Sequence, residues 1–364
     1  WFQLGCFSPI NRLHSSNSGF TSKEPWRYSR DARATMEAHL RLRHRLVPYL
    51  YTWARRSVAE GIAPVRPVYH DHPRELAAYE YRGSFYFGDL LVVPFTCWLD
   101  ETTGLGRELT WLPDGVWYDL PTGRRYEATT GGRGRMLSLS RPLDRIGVLA
   151  RAGSVIPLAG NLTEAAGDNP RELEIVVVPG GAGGFTLEED DGSAEPGPDR
   201  IARTRMRFTW PQTEGKDGGN AVLRIRLEGA ADVVPASRLV TVRLLAGRVA
   251  GALLGVGGQA RRLAVKEVDG DGFTLGAGTL VHLGELSRQE LADGVELVLR
   301  EVEQAPADWR GEVHAILDAA RVEYMAKDLA WAAVRRGLSG TALLGEMESL
   351  GLPETLRSAV AEVL

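Results

Sequence analysis

The 364 residues are 44% apolar and 25% charged, and 43 basic against 47 acidic side chains leave a net charge of −4. That length admits two or three domains with a sizeable core, and the composition is ordinary for a globular protein. The charge balance argues against a nucleic-acid or anionic-membrane partner, and no apolar run approaches the roughly 18 to 20 residues that span a bilayer.

In chain order, the first stretch is WFQLGCFSPINRLHSSNSGFTSKEPW, residues 1–26. It reads as a late strand running into a loop, where Arg12 and His14 alternate and so face the same way. A helix follows from about Arg33 to Glu60: Met36, Leu40, Val47, Leu50, Ala54 and Val58 recur at helical spacing. Pro48 predicts a kink or break within it, and Gly61 a stop. PVRPVYHDHP (64–73) is extended and runs into a loop, and FYFGDLLVVPF (85–95) is a buried strand with a Gly-Asp turn.

Short alternating runs then continue from WLPDGVWYDL through LEIVVV, RMRFTW, AVLRIRLEG and RLVTVRLL to GVELVLREV. Turn signals separate them about every ten residues, the pattern of sandwiches built from antiparallel strands. After Pro306 the helical period returns. EVHAILDAARVEYMAKDLAWAAVRRG reads as one helix with Val313, Leu317, Ala320, Tyr324 and Trp331 near one face and Gly337 at its end. A shorter helical pair, divided near Pro353, closes the chain.

One long helix and a few strands cannot close a domain, although residues 1–95 are apolar and aromatic as if buried. They make sense as the last βα units of a (β/α)8 barrel, which takes about 200 to 250 residues, so the rest of the barrel is expected ahead of Trp1. The expected fold is multidomain α/β plus all-β. It has the C-terminal end of a TIM barrel (1–95), proximal (96–168) and distal (169–304) sandwich-like β-domains, and a helical tail (305–364).

The opening stretch is also the strongest candidate site. A guanidinium and an imidazole converging from Arg12 and His14 can donate hydrogen bonds to several hydroxyls of a sugar, with Trp26 as a stacking surface. The alternative is an arginine paired with a buried carboxylate and a histidine satisfying a loop carbonyl. Among nearby acids, Glu24 fixes a loop, Asp89 belongs to a turn, and Asp71 carries no independent catalytic signal.

His70 and His72 flanking Asp71 suggest a metal, but no third ligand has a supporting spacing, and exposed loop histidines are the reading adopted. Glu188-Glu189-Asp190-Asp191-Gly192 lacks the alternation of a calcium loop and reads as an Asp-Gly hairpin turn. Asp269-Gly270-Asp271-Gly272 fails likewise, because Leu280 stands where a bidentate Glu is required. PGGAGG (179–184) and GVGG (255–258) are turns rather than phosphate cradles, and no G-x-S-x-G elbow occurs. Cys6 and Cys97 form neither a disulfide framework nor a zinc spacing. No cofactor or metal is expected, and a reducing cytoplasm fits.

Five ordered pieces carry a more specific signal: WFQLGCFSPINRLH (1–14), EPW (24–26), LVPYLYT (46–52), PVRP (64–67) and FYFGDLLVVP (85–94). Together they resemble glycoside hydrolase family 31, the α-glucosidases and α-xylosidases. WLPDGVWYDLPTG (111–123), LARAGSVIPL (149–158) and FTLEEDDG (185–192) are similar to the β-domains that follow the family's barrel.

The resemblance implies that Arg12 and His14 line the subsite of the sugar whose bond is cut, and that both catalytic aspartates precede Trp1. It implies a retaining, exo-acting hydrolase of α-linked oligosaccharides, with this chain inactive alone and homo-oligomerisation left open. The rival is a non-catalytic, β-rich carbohydrate-binding or scaffold protein.

Overall fold

The computed structural model describes residues 1–129, 131–165, 167–211 and 219–364. The opening stretch is a correction to the expected strand: Phe2–Cys6 form a short helix, and residues 11–16 are irregular. Cys6 and Phe7 are buried in the main core, while Arg43 takes the carbonyls of Cys6, Ser8 and Pro9. Backbone groups that a strand would have to pair are thus satisfied by a side chain.

The long helical run is two helices, Arg30–Arg45 and Val47–Glu60, joined at Leu46. Pro48 lies in the first turn of the second, where its missing N–H costs nothing, and Gly61 ends it in the left-handed conformation at φ +71°. The buried stripe is Met36, His39, Leu42, Leu46, Tyr49 and Trp53. Leu40 and Val58, assigned to it from the sequence, are exposed, Val58 by 90%. Counting only apolar residues missed the phase because His39 belongs to the stripe: its Nδ1 lies 2.8 Å from the Thr35 carbonyl oxygen, so burial leaves it satisfied.

A six-stranded antiparallel sheet follows, in the order Val65–Pro67, Phe85–Phe87, Leu90–Val93, Gly147–Arg151, Val116–Asp119, Arg125–Glu127. Val92 pairs with Val148, so the boundary expected at 95/96 runs through this sheet. Gly106–Leu112 and Arg135–Arg141, which flank Val116–Asp119 and Arg125–Glu127 in sequence, pair antiparallel as a separate two-stranded sheet.

The distal region holds two larger sheets that share one apolar core. The first has the order Val265–Val268, Gly278–Ser287, Ser237–Leu245, Glu172–Val177, Val155–Ala159. The second has the order Gly183–Glu189, Ala202–Thr209, Ala221–Gly229, Val295–Gln304, Gly247–Val256, Gln259–Leu263. Ile175, Val177, Val242 and Val281 of one share a single buried cluster with Leu187, Met206, Leu223 and Leu297 of the other, as in a sandwich. One pairing departs from the all-antiparallel expectation: Glu172–Val177 runs parallel to Ser237–Leu245.

The tail is four helices, Trp309–Ala319, Tyr324–Arg335, Gly340–Ser349 and Glu354–Val363, around Val313, Leu317, Val334, Leu343, Met347 and Val360. Its first long run breaks at Ala320, where ψ turns to 140° and the next N–H, that of Arg321, donates to the Thr102 carbonyl at 2.6 Å. Tyr324, expected on the buried face, is consequently exposed.

The last helix fixes the tail to the proximal β-region. Buried Glu362 accepts from Arg124 at 2.7 Å, Arg141 at 2.5 Å, the Tyr126 hydroxyl at 2.6 Å and the Ser140 N–H at 2.5 Å. Burial pushes its carboxyl pKa up, but Arg141 and Arg124 outweigh that and hold it below the ordinary value of 4.5. This contribution to stability is therefore present above that value and lost as pH falls through the lower folded-state value. Glu362→Ala leaves Arg124 with only Glu312 and Arg141 with only Asp119 as carboxylate partners, and we predict a loss of about 3 kcal/mol in urea unfolding at neutral pH. A loss under ~1 kcal/mol would show that the network is not what holds the tail.

Candidate active-site segment

The opening segment is tied down at its near end and open at its far end. Arg43 donates from Nη1 to the Cys6 carbonyl at 3.1 Å and to that of Ser8, and from Nη2 to that of Pro9 at 2.7 Å. The Cys6 thiol donates to the His39 carbonyl at 3.3 Å, and burial pushes its pKa up to about 12, against the pull of Arg43, so it is inert. Beyond Pro9 the loop is shaped by its own hydroxyls: Ser16 Oγ and Thr21 Oγ1 are 2.9 Å apart, and Ser18 Oγ accepts from the Phe20 N–H.

Arg12 and His14 stand exposed on this loop, and among the described residues neither has a hydrogen bond or ion pair. Among the described residues no buried carboxylate claims Arg12 and no loop carbonyl claims His14. Trp26 is exposed by 64% just beyond, in a single 3-10 turn, Pro25–Arg27, preceded by exposed Glu24.

The other acids serve elsewhere. Asp71 receives Arg66 through Nε at 3.1 Å and Nη2 at 2.7 Å, while Arg66 also donates to the Ala63 and Gly88 carbonyls. Burial opposes ionisation of Asp71, but Arg66 and His70 overcome it and hold the pKa below the usual carboxylate value. Asp71 is thus a committed ion-pair partner. Asp89 gives its N–H to the Tyr49 hydroxyl at 2.7 Å and lines a cleft of about 330 Å³ with Arg66, His72, Trp117 and Arg151. There the surrounding protein raises its pKa, against the influence of Arg56 and Arg66.

The histidine pair needs correction. His70 is exposed beside Asp71, but His72 is half-buried, its Nε2 3.0 Å from the Tyr86 hydroxyl and its ring edge-on to Trp111. Burial lowers its pKa. Among the described residues no three His, Cys, Asp or Glu side chains are grouped to hold a metal.

The acid run at 188–191 is likewise more than a turn. Glu188 receives Arg55 and Arg203, Glu189 pairs with buried Arg238, and Asp190 takes Arg55 at 3.1 Å and the Tyr51 hydroxyl. Asp271 spends its carboxylate on the N–H groups of Phe273, Thr274 and Leu275. Sequence reasoning did not find Arg43 or Arg66 as organisers. Only the Pro-x-Arg-Pro setting, with an acid five residues on, signalled the second.

The opening segment thus rests on two helices backed by β-sheets, with Arg12 and His14 exposed to solvent. A model for the glycosyl hydrolase family 31 TIM-barrel domain matches residues 1–53, and one for the family's C-terminal domain matches residues 61–156. These matches, over residues 1–53 and 61–156, support membership of glycoside hydrolase family 31 for this part of the chain.

It is 32% identical over 194 residues to an alpha-xylosidase of Saccharolobus solfataricus, covering 53% of this chain and 25% of that protein. It is 27% identical over 246 residues to the lysosomal alpha-glucosidase of Mus musculus, covering 63% and 25%. A dextranase of Flavobacterium johnsoniae superposes with a TM-score of 0.61 at 19% identity over 82% of this chain and 36% of its own, a likeness of fold that reaches into the distal region. The chain spans about a quarter of the length of the curated relatives it matches.

Arg43→Ala removes three charge-assisted bonds to the opening segment. We predict a stability loss of about 2 kcal/mol, together with faster amide exchange at residues 7–12 and no change in the tail. Unaltered exchange there would mean that Phe7 alone anchors the loop.

Proposed function

We propose that this chain supplies the C-terminal part of a retaining, exo-acting α-glycoside hydrolase of the α-glucosidase or α-xylosidase type, cutting O-glycosyl bonds in α-linked oligosaccharides. The observation that carries this reading is the match of residues 1–53 to the family's barrel in the stretch where Arg12 and His14 stand anchored and unclaimed. In this reading His14 hydrogen-bonds hydroxyls of the sugar whose bond is cut, and Arg12 supports the polar network around it.

Retaining hydrolysis needs a nucleophilic carboxylate and an acid/base carboxyl about 5–5.5 Å apart. Asp71 is committed to Arg66, while Glu24 and Asp89 make no contact with Arg12 or His14 among the described residues. Both catalytic groups are accordingly assigned to the remainder of a family 31 barrel. Exposed Trp1, Ile10, Phe20 and Trp26 support that assignment: four large apolar side chains within one barrel-matching stretch suit a surface that neighbouring barrel elements cover. Two family models matching in order make a purely carbohydrate-binding scaffold the weaker reading.

This chain alone is expected to leave an aryl α-glucoside and an aryl α-xyloside uncut. Joined to the remainder of the barrel, it is expected to turn over one of them with retained configuration. In that protein His14→Ala should lower kcat/KM by about 10², or ~3 kcal/mol, the value of a hydrogen bond formed in the transition state. Near-unchanged kinetics would remove His14 from the sugar subsite.

A further inference from the structure

Alternation along Ala202–Thr209 sends Ala202, Thr204, Met206 and Phe208 into the core and Arg203, Arg205 and Arg207 outward. The neighbouring strand Ala221–Gly229 turns Arg224 and Arg226 to the same face. Register sets Arg205 directly opposite Arg226, and Arg207 directly opposite Arg224. Like charges so placed destabilise a strand pair unless anions intervene.

Three of the five have them. Glu188 takes Arg203 at 2.9 Å, Glu228 takes Arg205 at 2.7 Å and Glu296 takes Arg224 at 2.8 Å. Among the described residues Arg207 and Arg226 have no carboxylate, and they are diagonal neighbours about 7–8 Å apart. Arg207 also lines a groove of about 730 Å³ with Arg56, Glu60, Asp89, Glu188 and Arg203, where Arg56 pairs with Glu60 and Arg203 with Glu188. Two guanidiniums therefore face solvent with open donor forks, on rigid strands, in a chain of net charge −4.

We propose that this face and groove bind an acidic saccharide chain, one bearing carboxylate or sulfate groups, with Arg207 and Arg226 as its anion contacts. The guanidinium fork matches such oxyanions bidentately. An exposed sheet face beside an open groove suits an extended polymer rather than an enclosed metabolite. Glu188, Glu228 and Glu296 interleave with the arginines and break the continuous positive track that a nucleic-acid backbone favours. The site shares no residue with the Arg12 and His14 loop.

The test is binding of the whole chain to dextran sulfate, uncharged dextran, poly-glutamate and duplex DNA, by calorimetry at about 50 and about 200 mM salt. Dextran sulfate is expected to bind and uncharged dextran not. The double variant Arg207→Ala, Arg226→Ala should bind dextran sulfate at least about tenfold more weakly, with a shallower salt dependence. A control double variant, Arg321→Ala, Arg335→Ala, removes equal charge from exposed tail positions and should bind as the unaltered chain does.

The proposal is overturned if dextran sulfate fails to bind, if both double variants lose equally, or if poly-glutamate or DNA binds as tightly. Hydrolysis is not read, so none of these results bears on His14.

Discussion

Three consecutive carboxylates, Glu188, Glu189 and Asp190, decide how the helical start of the chain meets the distal sheets. Arg55 reaches the first and third from the helix Val47–Glu60, and Arg238 meets the second inside the sandwich. Buried or half-buried ion pairs hold only when their hydrogen bonds are complete, so these contacts allow one placement of that helix along the strand. Tyr49 stacks on Phe185 at 5.2 Å from the same helix, which makes the apolar and polar registers agree. The preceding helix carries Arg43, and Arg43 carries the opening segment. The position of the Arg12 and His14 loop is thus inherited from contacts made more than a hundred residues downstream.

The same electrostatics separate structural acids from available ones. Asp71 lies under Arg66, whose guanidinium also sits over the rings of Trp53 and Tyr86 at 5.1 and 5.6 Å. That carboxylate has no spare capacity for chemistry. Asp89, in a cleft and without such a partner, is pushed toward its neutral form. Neither arrangement resembles a pair of carboxyls tuned apart to act as nucleophile and acid.

Much of the architecture was legible in the sequence because it rests on local rules. The helix break at Leu46 just ahead of Pro48, the hairpin around Gly88-Asp89 and the alternating strands through residue 304 follow from proline geometry, turn residues and a period of two. What failed involved distant partners. The opening helix depends on Arg43, and the true phase of the next helices depends on a satisfied histidine at 39. The break at Ala320 depends on the carbonyl of Thr102, more than two hundred residues earlier. At the candidate site, family motifs drew attention to Arg12 and His14. The organisers Arg43 and Arg66 act through carbonyls and one carboxylate that only the folded chain brings near.

The parallel pairing of Glu172–Val177 with Ser237–Leu245 has a counterpart on its other edge, where Val155–Ala159 closes the sheet. A cut at residue 168, where composition marks a border, would leave that closing strand with the wrong fragment. The distal part would then expose the unpaired backbone of Glu172–Val177, an apolar edge open to pairing with another molecule. As a module for exchange between glycosidases, the distal sandwich therefore begins at Val155. The residues before it, through Arg151, belong to the preceding sheet, which leaves the short link of residues 152–154 as the natural place to divide the chain.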